Sequence, residues 1–386
     1  MTPFFEVWSN GQDISGRMRR HGTECVITEN AGGNSDTVTF SVTDPLAEID
    51  LPPKGTEFNL VAGLIDPMTG KRYERDFGRF KVDQSLPSGF PHTIGISAQS
   101  LDVGSKIKEK RTKAFKAQDY PTIGKILEEI AGANDLEPKI SKEVAKEVNR
   151  YQAQSEEDDI EFATRLAAKF DATVSVKDGK LIVIKKGTGK KVSGKEIPIY
   201  IIEHGLNLLD NGGYSGEDVQ RPAHSKVVAK WFDRQKAQEQ KEEARTEEEG
   251  PDFVIPEVLP SKEEAASAAK TKASEINRSI GKVTFKTRGD PFVQVGCFVL
   301  ARNIRKEIDG IWSTTTISHH FSGNSYYYNS FQCEVPTQGR KKSVEQGDQK
   351  NKEIEASRLD TTVANKMSPY APNPDNIGLN EGDGPE

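Results

Sequence analysis

The sequence predicts an α+β fold that is mainly β, in which two β domains flank a small helix-helix-hairpin domain. Alternating apolar and polar residues run through most of the first 100 positions and return from Val283 to Val335. Between these regions, from about Tyr120, apolar residues recur with the period of a helix. At 386 residues the chain is long enough for two or three domains that each bury a core.

The composition narrows the class of protein. The chain carries 53 Lys and Arg against 59 Asp and Glu, a formal net charge of −6, and only 34% of its residues are hydrophobic. This balance is polar for a single compact enzyme, which indicates that part of the chain is linker, tail, or surface that is buried only in an assembly. A net acidic chain is also a poor general binder of nucleic acid, because phosphate contacts need concentrated Lys and Arg.

Neither a membrane anchor nor a disulfide framework is expected. The longest strongly apolar run, from Ile197 to Ile202, is far shorter than the roughly 20 residues that span a bilayer. The stretch from Met1 to Trp8 lacks the basic start and long apolar core of a secretory signal. The cysteines are odd in number and widely spaced, which argues against paired thiols (Cys25, Cys297, Cys333).

Residues 1–100 form the predicted first β domain. Val38, Phe40 and Val42 alternate with polar residues, as in a half-buried strand. Turn signals such as Asp44-Pro45 separate this run from two further alternating runs, at residues 77–84 and 92–99. Short strands separated by turns favour a small antiparallel barrel or a sandwich.

Residues 101–195 form the predicted helical unit. A first helix, opened by Pro121, carries an apolar stripe (Ile123, Ile126, Leu127, Ile130, Ala131). A second helix is predicted to begin at Ser155, because Ser155 and Asp158 have the spacing of a capping box. We interpret the acidic run at residues 156–159 as helix-capping charge rather than a catalytic or metal-binding cluster. Asp178-Gly179 between two apolar runs then predicts a hairpin.

The rest of the chain divides by composition. Residues 196–233 are predicted strands that link to the second barrel, and residues 234–260, rich in Gln, Glu and Lys, a charged flexible insertion. A third helix begins at Ser261, where Glu264 completes a capping box, and leads into the second β domain within residues 261–338. Residues 339–386 have few apolar side chains and are predicted to be a polar tail that packs only against a partner.

Short segments of the two β domains resemble each other. Val38-Thr39-Phe40 is followed by Asp44-Pro45, and Val283-Thr284-Phe285 is followed by Asp290-Pro291, with a difference of one residue that a β-bulge would absorb. Gly78-Arg79-Phe80 is similarly matched by Gly310-Ile311-Trp312. The pattern predicts an internal duplication that gives one chain two similar β domains.

No catalytic signature is found, so no catalytic, cofactor-binding or metal-binding residue is predicted and the chain is not expected to be an enzyme. Phosphate-binding loops, a nucleophile elbow and paired cysteines are all missing from the sequence. His319 and His320 are neighbours on a predicted strand and so point to opposite faces, which favours structural or surface roles. Cys297 and Cys333 fit small core residues, and Glu203-His204 and Asp233 are weak enzyme candidates near strand ends.

A set of ordered segments resembles the phage late control protein D family, the baseplate hub of contractile-tailed temperate phages. The resemblance covers roughly residues 11–335 and is most distinctive in the helical unit. It is carried by Gln12-Asp13-Ile14, Leu51-Pro-Pro-Lys-Gly55, Gly78-Arg-Phe-Lys-Val-Asp83, Thr122-Ile-Gly-Lys-Ile126, Gln154-Ser-Glu-Glu-Asp158, Arg165-Leu-Ala167, Val174 to Leu181, Ala229-Lys-Trp231, Ala265 to Ala273 and Ile308 to His320. The charged insertion and the tail are not part of it.

The resemblance implies a structural protein without a cofactor, located in the tail baseplate of a virion and assembled in the host cytoplasm. The family is similar to the hub part of type VI secretion spike proteins, which implies two tube-like β-barrels per chain and a homotrimer. Its implied partners are the tail tube protein, the spike protein, the tape measure protein and other baseplate proteins, with DNA passing through the lumen. Two alternatives are a tail-associated cell-wall hydrolase and the hub of a phage-derived bacteriocin or secretion particle.

Predicted contact residues follow from the two similar β domains. Strands around residues 38–42 and 283–287 are expected to be sheet edges that join barrels by β-augmentation. The interface candidates are Val38, Phe40, Val42, Val283, Phe285, Phe80 and Trp312. Phe40 and Phe285 fit equally well in the core of their own domains. Each chain has a formal charge of −6, so three copies together carry 3 × −6 = −18. The lumen is therefore expected to be neutral to acidic, so that DNA slides without sticking.

Overall fold

The first β region opens the chain and has a core of its own. The computed structural model describes residues 1–32, 34–100, 107, 109–177, 179–218, 224–233, 235–323 and 325–359. The region consists of β1 (Thr2–Ser9), β2 (Gln12–Asp13), α1 (Ser15–Arg20), β3 (Glu24–Asn30), β4 (Thr37–Thr43), β5 (Glu57–Ile65), β6 (Arg72–Ser88) and β7 (Thr93–Ser100). Alternate residues of β4 are buried, as predicted from their spacing, and contribute to an aromatic core in which Phe40 contacts Phe5 and Phe58.

The helical unit follows and packs around a second core. It contains β8 (Lys110–Lys116), α2 (Ile123–Ala133), β9 (Glu137–Ile140), α3 (Lys142–Ala145), β10 (Tyr151–Asp158), α4 (Asp159–Ala168), β11 (Ala172–Lys177) and β12 (Lys180–Lys185). The apolar stripe of the first predicted helix is buried in α2, whose N-cap is Thr122. β11 and β12 form the predicted hairpin, and β9 adds a parallel strand to it. Asp178 of the predicted turn lies outside the described residues.

The second predicted helix begins later than expected. Ser155 lies in β10, and the helix N-cap is Asp158, whose Oδ1 accepts a hydrogen bond from the backbone N–H of Glu161 at 2.7 Å. β10 pairs with β8 up to Asp158, so strand pairing holds residues that could otherwise have formed the first turn. Asp159, part of the acidic run, is buried and bonded to Asn134 and Gln154. Its role is structural, within the core of this unit.

The rest of the chain contains the second β region and a small separate sheet. Its elements are β13 (Tyr200–Glu203), β14 (Tyr214–Asp218), β15 (Lys226–Asp233), β16 (Gln238–Arg245), β17 (Phe253–Leu259), α5 (Lys262–Arg278), β18 (Gly281–Arg288), β19 (Phe298–Arg302), β20 (Gly310–Ser322), β21 (Tyr326–Glu334) and α6 (Arg340–Leu359). The helix start at Ser261 is confirmed, because the Ser261 side chain accepts a hydrogen bond from the backbone N–H of Glu264 as the N-cap. The α+β class, mainly β, is confirmed.

One continuous sheet joins the two β regions. Its strand order is β14-β18-β21-β20-β3-β4-β7-β6-β5-β1-β2, with β19 paired to β20 and β13 to β19. The connection is the antiparallel pair β20–β3, seven residues long from Thr316↔Asn30 to Ser322↔Glu24. β20 can pair on both sides because its 13 residues are long enough to reach from the second region into the first. The apolar cluster of the first region also includes Phe321 and Tyr327 from β20 and β21, and the second region has a further cluster.

The segment predicted to be a flexible insertion is largely ordered, which corrects that prediction. β16 and β17 lie on either side of β15 and form a three-stranded sheet. One face packs on the alanine stripe of α5 through an apolar set from the three strands (Val227, Ala229, Trp231, Ala244, Phe253, Ile255, Leu259). The sequence of β16 conceals this arrangement because only Ala244 is apolar among its eight residues. Arg234 lies outside the described residues.

The predicted polar tail also begins with order. α6 packs on β20, where the backbone of Gly310 approaches Gly347 so closely that a side chain on Gly347 would clash. Arg340 lies over the ring of Trp312 and donates to the carbonyl oxygens of Glu307 and Asp309. This part of the tail therefore packs within its own chain. The residues beyond 359 lie outside the described part.

Candidate functional site

A buried polar junction lies where the two β regions meet. It contains Glu29 of β3, Arg75 of β6 and His319 of β20, with Tyr327 and Asn329 of β21 beside them. The strand pairs β3–β20 and β20–β21 bring these residues together, since His319 is opposite Asn329 in one pair and opposite Ile27 in the other. The junction thus spans the seam through which the sheet continues.

The hydrogen bonds of the junction assign one tautomer to His319. Asn329 exchanges two hydrogen bonds with the backbone of Asp290, which orients its amide so that Nδ2 donates. That Nδ2 lies 2.9 Å from Nδ1 of His319, so Nδ1 accepts. The hydrogen is then on Nε2, which lies 3.2 Å from Oε2 of Glu29 and donates to it. The Tyr327 hydroxyl, 2.8 Å from Nδ1, completes the set.

Charge at the junction is balanced by a bidentate ion pair. Arg75 donates to both carboxylate oxygens of Glu29, at 3.0 and 2.5 Å, and to the backbone oxygen of Val293 at 3.0 Å. Burial acts to raise the pKa of Glu29, but Arg75 and His319 outweigh it and hold that pKa at about 2. The ring of Phe77 packs edge-on against His319 and beneath the Arg75 guanidinium. Glu29 is therefore ionised and fully paired.

A Glu-His-Tyr group could serve acid-base chemistry if a substrate reached it. Here the His319 side chain is fully buried, and Glu29 is only 6% exposed. Each polar contact of the Glu29–His319 pair either connects the two β regions or holds in place a residue that does. The geometry favours a structural seam that fixes how the regions are joined. This agrees with the structural role predicted for His319, although its partners were not foreseen.

A second buried ion pair connects the helical unit to α5 and β21. Arg278, at the end of α5, donates to both oxygens of Asp171 at 2.7 and 2.5 Å, and its Nε lies 3.3 Å from Glu334. Arg278 also donates to the hydroxyl of Thr337 at 3.2 Å. Burial raises the pKa of Glu334, and Arg278, Lys186 and Lys282 compensate for this only in part. We call these two sites the Glu29 junction and the Asp171 junction.

Sequence reasoning missed both junctions, but β3 carries a signal that could have revealed the first. Cys25, Ile27 and Glu29 alternate along one strand face, so Glu29 continues a buried face with a carboxylate. A charged residue in phase with an apolar run requires a buried partner. No comparable local pattern identifies Arg75, whose contact with Glu29 joins strands 46 residues apart.

The predicted interface candidates are core residues. Strand β4 pairs with β3 and β7, and β18 pairs with β14 and β21, so neither is the sheet edge that was expected. All seven candidate side chains are buried within this chain (Val38, Phe40, Val42, Phe80, Val283, Phe285, Trp312). The prediction of exposed strands fails because both strands gain a second neighbour from distant sequence. Of the two roles considered for Phe40 and Phe285, the core role is the one observed.

The other residues considered for chemistry also have structural surroundings. Cys25, Cys297 and Cys333 are buried, and Cys297 and Cys333 both contact the hydroxyl of Thr314. Glu203 pairs with Arg302 at 3.2 Å, and Asp233 caps the turn that follows β15. Within the described ranges, no group of three or more His, Cys, Asp or Glu side chains is placed to hold a metal ion. Nor does that part of the chain contain a helix long and apolar enough to cross a membrane.

Two curated relatives match most of the chain. The "probable baseplate hub protein" of Escherichia phage P2 is 26% identical over 383 residues, covering 87% of this chain and 94% of the relative. The protein of the same name from Escherichia phage 186 is 25% identical over 374 residues, covering 87% and 93%. The resemblance to phage baseplate hub proteins is therefore confirmed. No family model matches the chain.

Solved structures show the same fold. The 43 kDa tail protein of prophage MuSo2 from Shewanella oneidensis superposes with a TM-score of 0.61 over 86% of this chain and 98% of that protein. The sequences are 16% identical, so this likeness concerns the fold alone.

Proposed function

We propose that this chain is a baseplate hub protein of a contractile phage tail, with a structural rather than an enzymatic role. The observation that carries the proposal is the match to hub proteins of phages P2 and 186 along nearly their whole length. A match of that extent includes both β regions and the helical unit rather than one shared module. The proposed location is the tail baseplate of the virion.

In this proposal three copies form a ring that adapts a six-fold tail tube to a three-fold spike. Three subunits can mate with six only if each presents two similar surfaces, and each chain has two β regions joined side by side in one sheet. The buried Glu29 junction supports the proposal because it would hold the two regions at one fixed spacing. The ring would also contact the tape measure protein and other baseplate proteins.

The proposal includes a lumen through which DNA passes without specific binding. At −6 per chain, three copies together have a formal charge of 3 × −6 = −18, which repels phosphate rather than retaining it. A ring that retained duplex DNA at moderate salt would contradict this part of the proposal.

The oligomeric state provides the direct test. We expect light scattering on the purified chain, alone or with the spike protein added, to give the mass of a trimer or of a trimer bound to spike. Monomer under every condition, with spike included, would contradict the hub role. Averaged electron micrographs of particles containing the labelled subunit would then locate it in the baseplate.

The hydrolase alternative has a separate readout. We expect the purified protein to leave peptidoglycan intact in a zymogram. Clearing that disappears on substitution of a single carboxylate would overturn the structural role.

A further inference from the structure

Two surfaces of the described part of the chain each carry several large exposed apolar side chains. The first, the hairpin patch, consists of Leu46, Leu51, Leu86 and Phe90 on the first β region. The second, the sheet patch, consists of Phe232, Val254 and Val258 on the three-stranded sheet. Exposed apolar side chains grouped in this way are typical of surfaces that bind a partner.

The hairpin patch lies at the end of the β6–β7 hairpin, which we call the ribbon. Beyond Val82, β6 has β7 as its strand partner, β7 stays paired with β4 as far as Thr93, and the ribbon ends in a tip where Phe90 is 92% exposed. Leu86 lies opposite Gly95, which has no side chain to cover it. Residues 84–100 contain no Asp, Glu, Lys or Arg. A surface of this kind requires an apolar partner.

The loop that carries Leu46 and Leu51 is fixed against the ribbon. The backbone N–H of Asp44 donates to the carbonyl oxygen of His92 at 2.9 Å, and the Ser85 hydroxyl donates to that of Pro52 at 2.9 Å. Asp44 lies in the loop and Ser85 in the ribbon, so both contacts join the two segments that carry the patch. The patch is therefore held in place without a partner, so binding does not have to order it.

The sheet patch is the face of β15 and β17 that α5 leaves uncovered. Val227, Ala229 and Trp231 point toward α5, and Phe232 alternates to the opposite face. Val254 is in register with Val228, and Val258 with Lys230, which places both valines on that same outer face. α5 therefore covers one side of this sheet. On the other side Val228 is buried, and Phe232, Val254 and Val258 are left exposed as an apolar strip.

The charges around the two patches are complementary. The loop of the hairpin patch carries the exposed carboxylates Glu48 and Asp50. On the outer face of the sheet, Lys230 and Lys241 are directly opposite each other, a like-charged pair that is unfavourable in isolation. Lys230 is paired with Glu239 at 3.1 Å, whereas Lys241 is exposed and available to a carboxylate from outside.

We propose that the hairpin patch of one copy packs on the sheet patch of the next, with Glu48 and Asp50 toward Lys241. The contact joins two different surfaces of the same chain, so it is heterologous, and repetition of such a contact closes a ring when the rotation allows. This proposal rests on the proposed ring of three copies and identifies the surfaces that close it. The occupant of each patch is thus a second copy of this chain.

Single exposed substitutions test each patch in the full-length chain. Phe90→Asp on the hairpin patch and Val258→Asp on the sheet patch should each convert trimer to monomer in light scattering, with an unchanged circular dichroism spectrum. Met68→Asp is the matched control, because Met68 is 91% exposed at the β5–β6 turn and belongs to neither patch. A trimer that survives either patch substitution at the wild-type concentration would overturn the proposal.

Mixing the two variants tests whether the patches contact each other. The Phe90→Asp chain keeps its sheet patch and the Val258→Asp chain keeps its hairpin patch, so an equimolar mixture should form a dimer with one intact contact. A mixture that stays monomeric would overturn the head-to-tail contact. Wild-type protein that never forms a trimer would refute the hub ring itself, whereas a wild-type trimer unaffected by these variants would refute only the proposed surfaces.

Discussion

The Glu29 junction and the Asp171 junction each place a carboxylate and an arginine inside the molecule. They differ in how many carboxylates share the N–H groups of that arginine. Glu29 is the only carboxylate that receives the paired N–H groups of Arg75, and His319 adds a further donor to it. Arg278 gives its paired N–H groups to Asp171 and leaves only Nε near Glu334. The pKa of Glu29 is consequently lowered, whereas that of Glu334 is raised. Whether a carboxylate has an arginine to itself or shares it, rather than burial alone, therefore decides the direction of its pKa shift.

The largest expected effect comes from removing the arginines. Arg278→Leu leaves Asp171 and Glu334 without their common partner and should destabilise the chain by about 3–5 kcal/mol. Arg75→Leu should cost less, because the Arg75 side chain is 28% exposed and that of Arg278 is 7% exposed. Urea denaturation followed by circular dichroism measures both free energies of unfolding.

Arg305→Leu serves as the matched control for these variants. Arg305 pairs with Glu307 at 2.7 Å, but both side chains are largely exposed, so its loss should leave the free energy of unfolding almost unchanged. Equal losses for Arg305→Leu and Arg278→Leu would show that burial does not distinguish these ion pairs.

The pH dependence of stability should differ in sign between the two junctions. The pKa of Glu29 is lowered from 4.5 to about 2, so its contribution, on the order of 3 kcal/mol, is present above pH 4.5 and is lost as the pH falls toward 2. The raised pKa of Glu334 means that its protonation favours the folded chain as the pH falls. Glu29→Gln should therefore flatten the loss of stability in acid, and Glu334→Gln should steepen it.

Urea denaturation at several pH values between 3 and 7 separates these two effects. We expect Glu29→Gln to lower the free energy of unfolding at pH 7 more than Glu334→Gln does. Identical pH profiles for the two variants and the wild type would contradict the assignment of opposite pKa directions.

The smallest expected effect concerns the neutral part of the Glu29 junction. Tyr327→Phe removes a hydroxyl 2.8 Å from Nδ1 of His319 while Asn329 continues to donate to that nitrogen. Because the acceptor remains satisfied, the loss should be about 1 kcal/mol. A loss as large as that of Arg75→Leu, in the same denaturation assay, would show that the hydroxyl rather than the ion pair holds the seam.

Local features of the sequence were predicted well where a residue's role depends on its near neighbours. The apolar stripe of α2 and the N-cap of α5 each lie within one segment and need no distant partner to be recognised. The start of α4 was misplaced by a few residues because β8 holds residues 151–158 as a strand. The internal duplication of the two β domains stays a prediction.

The sequence by itself determined the strand and helix periods, the placement of small cysteines in the core and the resemblance to phage hub proteins. Only the tertiary structure decided that β20 joins both β regions, that β16 is a strand, and that Glu29 meets Arg75 and His319. The physical reason is that hydrophobic period is a property of neighbouring residues, whereas sheet order and buried ion pairs depend on partners far along the chain. Val38 and Phe40 illustrate this difference. Their alternation predicts a strand, but only the pairing with β3 and β7 shows that the strand is not at a sheet edge.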